Sequence, residues 1–364
     1  MDASKLRYPL NNYQQCLKKS VYPLNIFLGN DNSQDNDAYI TKYIKMRGYT
    51  QDPTHTCTYH RNLSTLTANP VTTLLPNQTI VLPDKGCDVK FINCGNGDAC
   101  LIENQGRYAL IDFGGKEDAV KDYLDKHMKS KTIDYAICTH FHSDHMTDFY
   151  NVLSNYKVKN LFVVKNIGKN LNKATKKELI NFDVNCNAQT VTMLEIGSCL
   201  DHHSHDFTLG NAHFEFIGPV NDHKNLNDNS IVLKMNYKNT SVLFTGDISS
   251  NTEKELVLWC RLNNINLKSQ IIKVAHHGAK GSTSNNLLKY AEPSVAVISC
   301  AKVNTYTHPD SECVERLTNH NCETFVTYDD KSVDFHITTQ GELRYGKSKI
   351  YLPFSAKATE RLPS

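Results

Sequence analysis

The chain has 364 residues, with 40 Lys+Arg against 38 Asp+Glu for a formal charge of +2, and charged residues make up 21% of it. That length holds one large domain with an appendage, or two domains, and the near balance of charge excludes the overall footprint of a non-specific nucleic-acid or anionic-membrane binder, leaving room only for a local basic groove. No run of about 20 apolar residues occurs and residues 1–10 lack the apolar core of a secretory signal, so no membrane contact is expected and the cytoplasm is the expected compartment.

Residues 1–85 are rich in Asn, Gln, Thr and Tyr, with weak apolar periodicity and Pro53, Pro70, Pro76 and Pro83 as punctuation. They read as a separate small module or an extended arm. Within it, residues 69–83 resemble the second half of a LysM module, a small carbohydrate-binding βααβ unit, which implies glycan or protein contact; the competing reading is a polar linker with one strand over 79–82. From Asp88 onward short strands alternate with helical segments, the pattern of an α/β domain over 86–350 followed by a tail at 351–364. Strands are expected at 89–94, 100–103 and 108–113, with tight-turn chemistry at Gly95-Asn96-Gly97-Asp98.

A helix over 116–128 precedes the apolar strand 133–138, which runs into Thr139-His140-Phe141-His142-Ser143-Asp144-His145. Three imidazoles and a carboxylate at this density match the donors zinc and its neighbours prefer, and the spacing of His140 and His142 aims both the same way in extended backbone. A helix over 146–156 would then point its N-terminal dipole at that site. A strand at 159–164, a helix near 173–181 and a strand at 190–195 follow. Asp201-His202-His203-Ser204-His205 has no strand leading into it and reads as a solvated loop.

Further strands at 213–217, 230–236 and 242–245 lead to Gly246-Asp247; after a helix over 252–262, 271–275 runs into His276-His277-Gly278, and 295–299 into a loop with Asn304, Tyr306 and His308-Pro309. Each strand hands over a polar residue at its C-terminal end, where layered α/β folds assemble active sites. Twelve cysteines without a C-x-x-C pair read as buried thiols of a reducing compartment.

The ordered set of Asp112, His140-x-His142-x-Asp144-His145, Gly246-Asp247 and His276-His277-Gly278 resembles the metallo-β-lactamase-fold hydrolases. Cys94-Gly95-Asn96-Gly97-Asp98-Ala99, Asn229-Ser230-Ile231-Val232-Leu233, Thr245-Gly246-Asp247 and Asn304-x-Tyr306-x-His308-Pro309 look most like the hydrolase domain of ComEC-type DNA-uptake proteins, without their membrane channel. The resemblance implies a four-layer αββα sandwich with a small N-terminal extension. It makes His140 and His142 ligands of a first metal and Asp144, His145 and His276 ligands of a second, with Asp247 bridging and Asp112 orienting. His277 would touch substrate or the leaving group. The histidine the family places before strand 230–236 is missing; Asn229, or Asp228, stands there as a substitute ligand. Zinc at two positions, or manganese, is the implied cofactor, and the first position is the weaker.

Two cations a few ångströms apart would give a hydroxide near neutral pH and clamp a phosphodiester for in-line displacement. Asp144 and Asp247 would hold the nucleophile, and His308 would bind a phosphate oxygen or protonate the leaving alkoxide, unless it is a surface residue before a helix starting near Pro309. Ser282 and Ser284 read as helix caps. The expected function is a phosphodiesterase or nuclease acting on nucleic acid or a nucleotide; the alternatives are hydrolysis of lactones, thioesters or β-lactams, or a glycan- or partner-binding protein on a secondary hydrolase fold.

Overall fold

The computed structural model describes residues 49–51, 58–61, 83–164, 188–194, 205–330, 332–345 and 349–351. Most of the LysM-like stretch, the helix expected near 173–181 and residues 201–204 of the second histidine cluster lie outside the described residues.

The strands form two sheets. In chain order, β1 (Tyr49–Gln51), β2 (Thr58–Arg61), β3 (Cys87–Ile92), β4 (Cys100–Asn104), β5 (Arg107–Ile111), β6 (Thr132–Cys138), β7 (Lys157–Val164) and β8 (Thr190–Leu194) belong to the larger sheet. The smaller sheet takes β9 (Phe207–Leu209), β10 (Ala212–Gly218), β11 (Val232–Tyr237), β12 (Thr240–Phe244), β13 (Ile271–Lys273), β14 (Val295–Ile298) and β15 (Glu323–Val326). The chain then returns to the larger sheet with β16 (Ser332–Ile337), β17 (Leu343–Tyr345) and β18 (Lys349–Tyr351), β16 pairing antiparallel with β3. At the far edge β2 pairs antiparallel with β8.

Both sheets follow one plan. Antiparallel β3-β4-β5 continues into parallel β6, β7 and β8, and antiparallel β10-β11-β12 continues into parallel β13, β14 and β15. Parallel neighbours need crossovers, and helices supply them: α1 (Ala119–His127) and α2 (Phe149–Asn155) beside the larger sheet, α3 (Ser250–Leu262), α4 (Asn285–Ala291) and α5 (Ser311–Asn319) beside the smaller. In the smaller sheet alternate residues divide between two cores, as the pleat requires. Leu233, Met235, Phe244, Ile271 and Val297 face the larger sheet, whereas Val232, Leu243, Ile272, Ala296 and Ile298 pack with Leu256, Val257, Leu287, Leu288 and Leu317 of the helices.

Phe91 bridges the sheets, its ring 6.0 Å from that of Phe244 and edge-on to Phe335 at 6.3 Å. Each such fully buried ring contributes roughly 1.5–3 kcal/mol by leaving water. On the opposite face of the larger sheet, Val120 and Leu124 of α1 are buried with Phe149, Val152 and Leu153 of α2. The four-layer α/β/β/α order expected from the sequence is therefore present.

Two elements differ from expectation. Instead of a helix from Met146, the chain makes a 3-10 turn at Ser143–His145, and α2 starts only at Phe149. The cause is Asp148, whose carboxylate accepts from the backbone N–H groups of Asp118, Val120 and Lys121 and so caps α1 instead of extending α2. A seven-residue helix that starts beyond the turn does not aim its dipole as the longer one would have. Ser284 does cap α4, accepting from the Leu287 N–H. Cys87, Cys94, Cys100, Cys138 and Cys313 are buried thiols, and burial raises the pKa of each. Among the described residues no helix is long and apolar enough to cross a membrane.

Candidate metal centre

Where the parallel strands end, the backbone leaves the ladder and can aim side chains at a common point. Asp112 follows β5 in left-handed conformation (φ 60°), sealed from solvent. One carboxylate oxygen accepts from the Thr139 N–H at 2.7 Å, and the other from the Thr139 hydroxyl at 2.8 Å and from Nδ1 of His145 at 2.9 Å. Asp112 thus clamps both ends of the 139–145 turn. Burial raises its pKa, against the charge of His145.

Hydrogen-bond bookkeeping then fixes three tautomers. His145 spends Nδ1–H on Asp112, which leaves Nε2 buried, without a hydrogen-bond partner and 3.3 Å from Asp247 Oδ2. His277 spends Nδ1–H on the Ser299 carbonyl at 2.9 Å, placing Nε2 3.4 Å from Asp247 Oδ2 and 3.2 Å from Asp144 Oδ2. Around His140, Nδ1 lies 3.2 Å from the Thr139 hydroxyl and 3.3 Å from the Ser230 hydroxyl. The Thr139 hydroxyl donates to Asp112 and that of Ser230 to the Asn227 carbonyl, so both can only accept from His140. Its Nε2 is left facing His142 Nδ1 at 3.0 Å and Asp247 Oδ2 at 4.0 Å. Three imidazole Nε2 atoms therefore converge on one carboxylate oxygen.

Asp247 is held for this role. Its N–H donates to the Ser230 hydroxyl, and its other oxygen lies 3.4 Å from Nζ of Lys273, the last residue of β13. Lys273, also buried, donates to the Gly246 carbonyl and ion-pairs with Asp98 from the β3–β4 loop, tying the two sheets together under the site. Two glycines permit these approaches. A Cβ on Gly97 would stand 2.2 Å from the Asp144 carbonyl oxygen, and one on Gly246, at φ 52°, would stand 2.5 Å from Ser230 Cβ.

One donor atom each from Asp98, His145, Asp247 and His277 lies within 4.8 Å of the others, all four residues buried. Burial alone would depress both imidazoles; Asp247 and Asp112 nevertheless hold His145 well above its ordinary pKa, and Asp247, Asp98 and the Asp144 hydrogen bond push His277 up to about 10. Asp247 is held well below the carboxylate range, because the charges of His145, His277 and Lys273 outweigh its burial. Asp144 is lowered as well, against burial, by its bond with His277 and the charge of His145. Protons here occupy atoms that a divalent cation would take, since ligand imidazoles must be neutral. Imidazole nitrogens and carboxylates suit zinc or manganese, and the partnerless buried Nε2 of His145 is the atom such an ion would satisfy.

The sequence placed the ligand role on His276 and gave His277 to substrate; the structure brings His277 to the cluster. Both residues have positive φ (50° and 54°), and this left-handed turn swings consecutive side chains apart. His276 Nε2 instead meets the Asn227 amide at 3.3 Å. Asn229 is not a substitute ligand, because its amide is spent on the backbone of His223, accepting at 2.9 Å and donating at 2.8 Å. Asp228 likewise serves Ser249 N–H and the Thr252 hydroxyl. His308 stands outside the cluster, its ring 5.8 Å from that of His276, before a helix that Asp310 caps.

Sequence reasoning missed Asp98, Lys273, Ser230 and Ser299. A lysine inside the apolar run 271–275 was the one available signal, since a buried lysine demands a carboxylate.

A family model described as the Metallo-beta-lactamase superfamily matches residues 92–302. Among curated proteins, the chain is similar to ComE operon protein 3 of Bacillus subtilis, 26% identical over 73% of this chain and 34% of that protein. It is also similar to Recombination protein 2 of Haemophilus influenzae, 26% identical over 63% of this chain and 26% of that protein. The chain thus spans about a third or less of these relatives' length. Among solved structures, the metallo-beta-lactamase fold protein YhfI from Bacillus subtilis aligns at 12% identity over 72% of this chain and all of its own, with a TM-score of 0.43. With the sandwich, the ligand-bearing strand ends and a match to more than half of its residues, the chain belongs to the metallo-β-lactamase superfamily of metal-dependent hydrolases and is similar, within it, to ComEC-type proteins.

Proposed function

We propose that the chain is a metal-dependent phosphodiesterase acting on nucleic acid or a nucleotide. In this reading Asp98, His145, Asp247 and His277 hold one zinc or manganese ion with Asp144 at its rim, and His140 and His142 offer a second, weaker position. The observation that carries it is the convergence of His140, His145 and His277 Nε2 on Asp247 Oδ2, with each Nδ1–H already committed. The second position has two imidazoles, and Asn229, turned to the backbone of His223, adds no donor to it.

A divalent cation bound here supplies Lewis acidity, lowering the pKa of a water and polarising a phosphoryl oxygen. The protein's own groups do the rest. Asp247, sealed and fixed by Lys273 and Ser230, sets the centre of the site. Asp144 is the more exposed carboxylate, at 28%, and orients the attacking water from the rim while taking its proton. His308 stands with its ring 5.8 Å from that of His276, and burial and the neighbouring imidazoles lower its pKa, so in this reading it is neutral and offers a ring N–H to a phosphate oxygen of the substrate. Support for nucleic acid over other phosphodiesters comes from the relative whose name refers to recombination.

The test is hydrolysis of bis-p-nitrophenyl phosphate and of single-stranded oligonucleotides, with nitrocefin and acyl-lactones in parallel. Chelation should abolish phosphodiester cleavage, Mn²⁺ or Zn²⁺ should restore it, and Asp144→Ala should lose it. A metal-replete protein inert on every phosphodiester, or active only on the carbonyl substrates, overturns the proposal.

A further inference from the structure

Among the described residues the large exposed hydrophobic side chains are Tyr150, Leu262, Val303 and Tyr306, and two of these four share one short loop beside the metal centre. Tyr306 is 68% exposed and Val303 90%. Burying neither, the loop is nonetheless braced. The Asn304 side chain donates to the Ala301 carbonyl at 2.9 Å and to the His308 carbonyl at 2.6 Å, and accepts from the His308 N–H at 2.9 Å. Three hydrogen bonds from one amide across eight residues fix the backbone that presents the Tyr306 ring.

That ring is not isolated from the chemistry. It lies nearly parallel to His308, at 17° with centroids 5.8 Å apart; His308 is 5.8 Å from His276, and His276 is 6.2 Å from the cluster residue His277. A file of aromatic rings thus runs from the centre to solvent and ends in a tyrosine with one face covered and the rest open. Lys302, on the same loop, is exposed and adds a positive charge.

We propose that Tyr306 is a stacking platform for a nucleobase of single-stranded nucleic acid, placed a few nucleotides from a phosphodiester held at the metal centre, with Lys302 beside the backbone of the same strand. This rests on the phosphodiesterase reading and narrows it to strands whose bases are unpaired. A rigidly presented ring with a lysine alongside is how proteins grip single strands without reading sequence, because every base offers a flat face. A base in a duplex has both faces covered by its neighbours and gains nothing from the ring.

The experiment uses the full chain with a fluorescently labelled oligothymidylate and the same strand made of abasic sugars, recording both binding by anisotropy and cleavage. Tyr306 contributes nothing to the core, so Tyr306→Ala should fold as the parent does. It should weaken affinity and raise KM for the base-bearing strand roughly tenfold to a hundredfold, with kcat and bis-p-nitrophenyl phosphate turnover unchanged. On the abasic strand it should have no effect, and Tyr306→Trp should restore binding. Equal effects of Tyr306→Ala on the two strands, or none on either, overturn the platform while leaving phosphodiester cleavage standing. A parent protein that binds the base-bearing strand through Tyr306 but cleaves no phosphodiester supports the platform and overturns the catalytic reading. A parent that neither binds nor cleaves the strand overturns both.

Discussion

The adjacent pair His276 and His277 gives the sharpest test of the centre. His277 is buried, with Nδ1–H on Ser299 and Nε2 3.2 and 3.4 Å from the carboxylates of Asp144 and Asp247. His276 is only partly buried, and its side-chain hydrogen bond is to the Asn227 amide at 3.3 Å. Removing a group that merely orients a ligand weakens metal binding about 10–100-fold, so deleting a ligand outright should cost at least about 100-fold. The Asn227 contact is neutral, and its loss is on the order of 1 kcal/mol of stability. His277→Ala should therefore reduce zinc affinity by at least about two orders of magnitude, and His276→Ala should change it less than about threefold. Competition titration against a chromophoric chelator, with elemental analysis of the dialysed proteins, measures both. The reasoning fails if His276→Ala strips the metal while His277→Ala keeps it.

Two further outcomes follow from the same geometry. Asp112→Ala frees the Thr139 hydroxyl and the His145 tautomer together, and should lower metal affinity about 10–100-fold with the fold retained, read by the same titration and by circular dichroism. The raised pKa of His277, about 10 against an ordinary 6.5, means that the metal-free native state binds a proton the unfolded chain has released between those values. Stability of the chelated protein should thus be greatest below about pH 6.5 as far as this group is concerned and fall as pH rises toward 10, whereas the zinc-loaded protein, whose native state carries no proton on this group, should stay level over the same range, so that the stabilisation conferred by zinc grows with pH. Thermal melts at several pH values, with and without chelator, decide it; a metal-free protein whose melting temperature rises over that range contradicts the sign.

What the sequence made legible is what depends on local spacing. Apolar runs bounded by turn residues located β3 to β7 and β10 to β14 to within a few residues, because a strand buried on both faces needs little more than its composition to be recognised. The density of imidazoles at 139–145 marked the centre for the same reason. The rest depends on where the chain bends and on which proton goes where. Nothing in His276-His277 says which ring turns inward, since that is set by two left-handed residues in succession. Asp98 and Lys273 come from opposite sheets: a lysine in an apolar run signals only that some carboxylate must meet it, and the closing of the sandwich decides that it is Asp98. The tautomer of His140 lies one step deeper. It is fixed because two hydroxyls, 91 positions apart in sequence, have each given their proton elsewhere, Thr139 to Asp112 and Ser230 to Asn227. A residue pattern can name three histidines; only the placed donors and acceptors can show that all three present Nε2 to the same oxygen of Asp247.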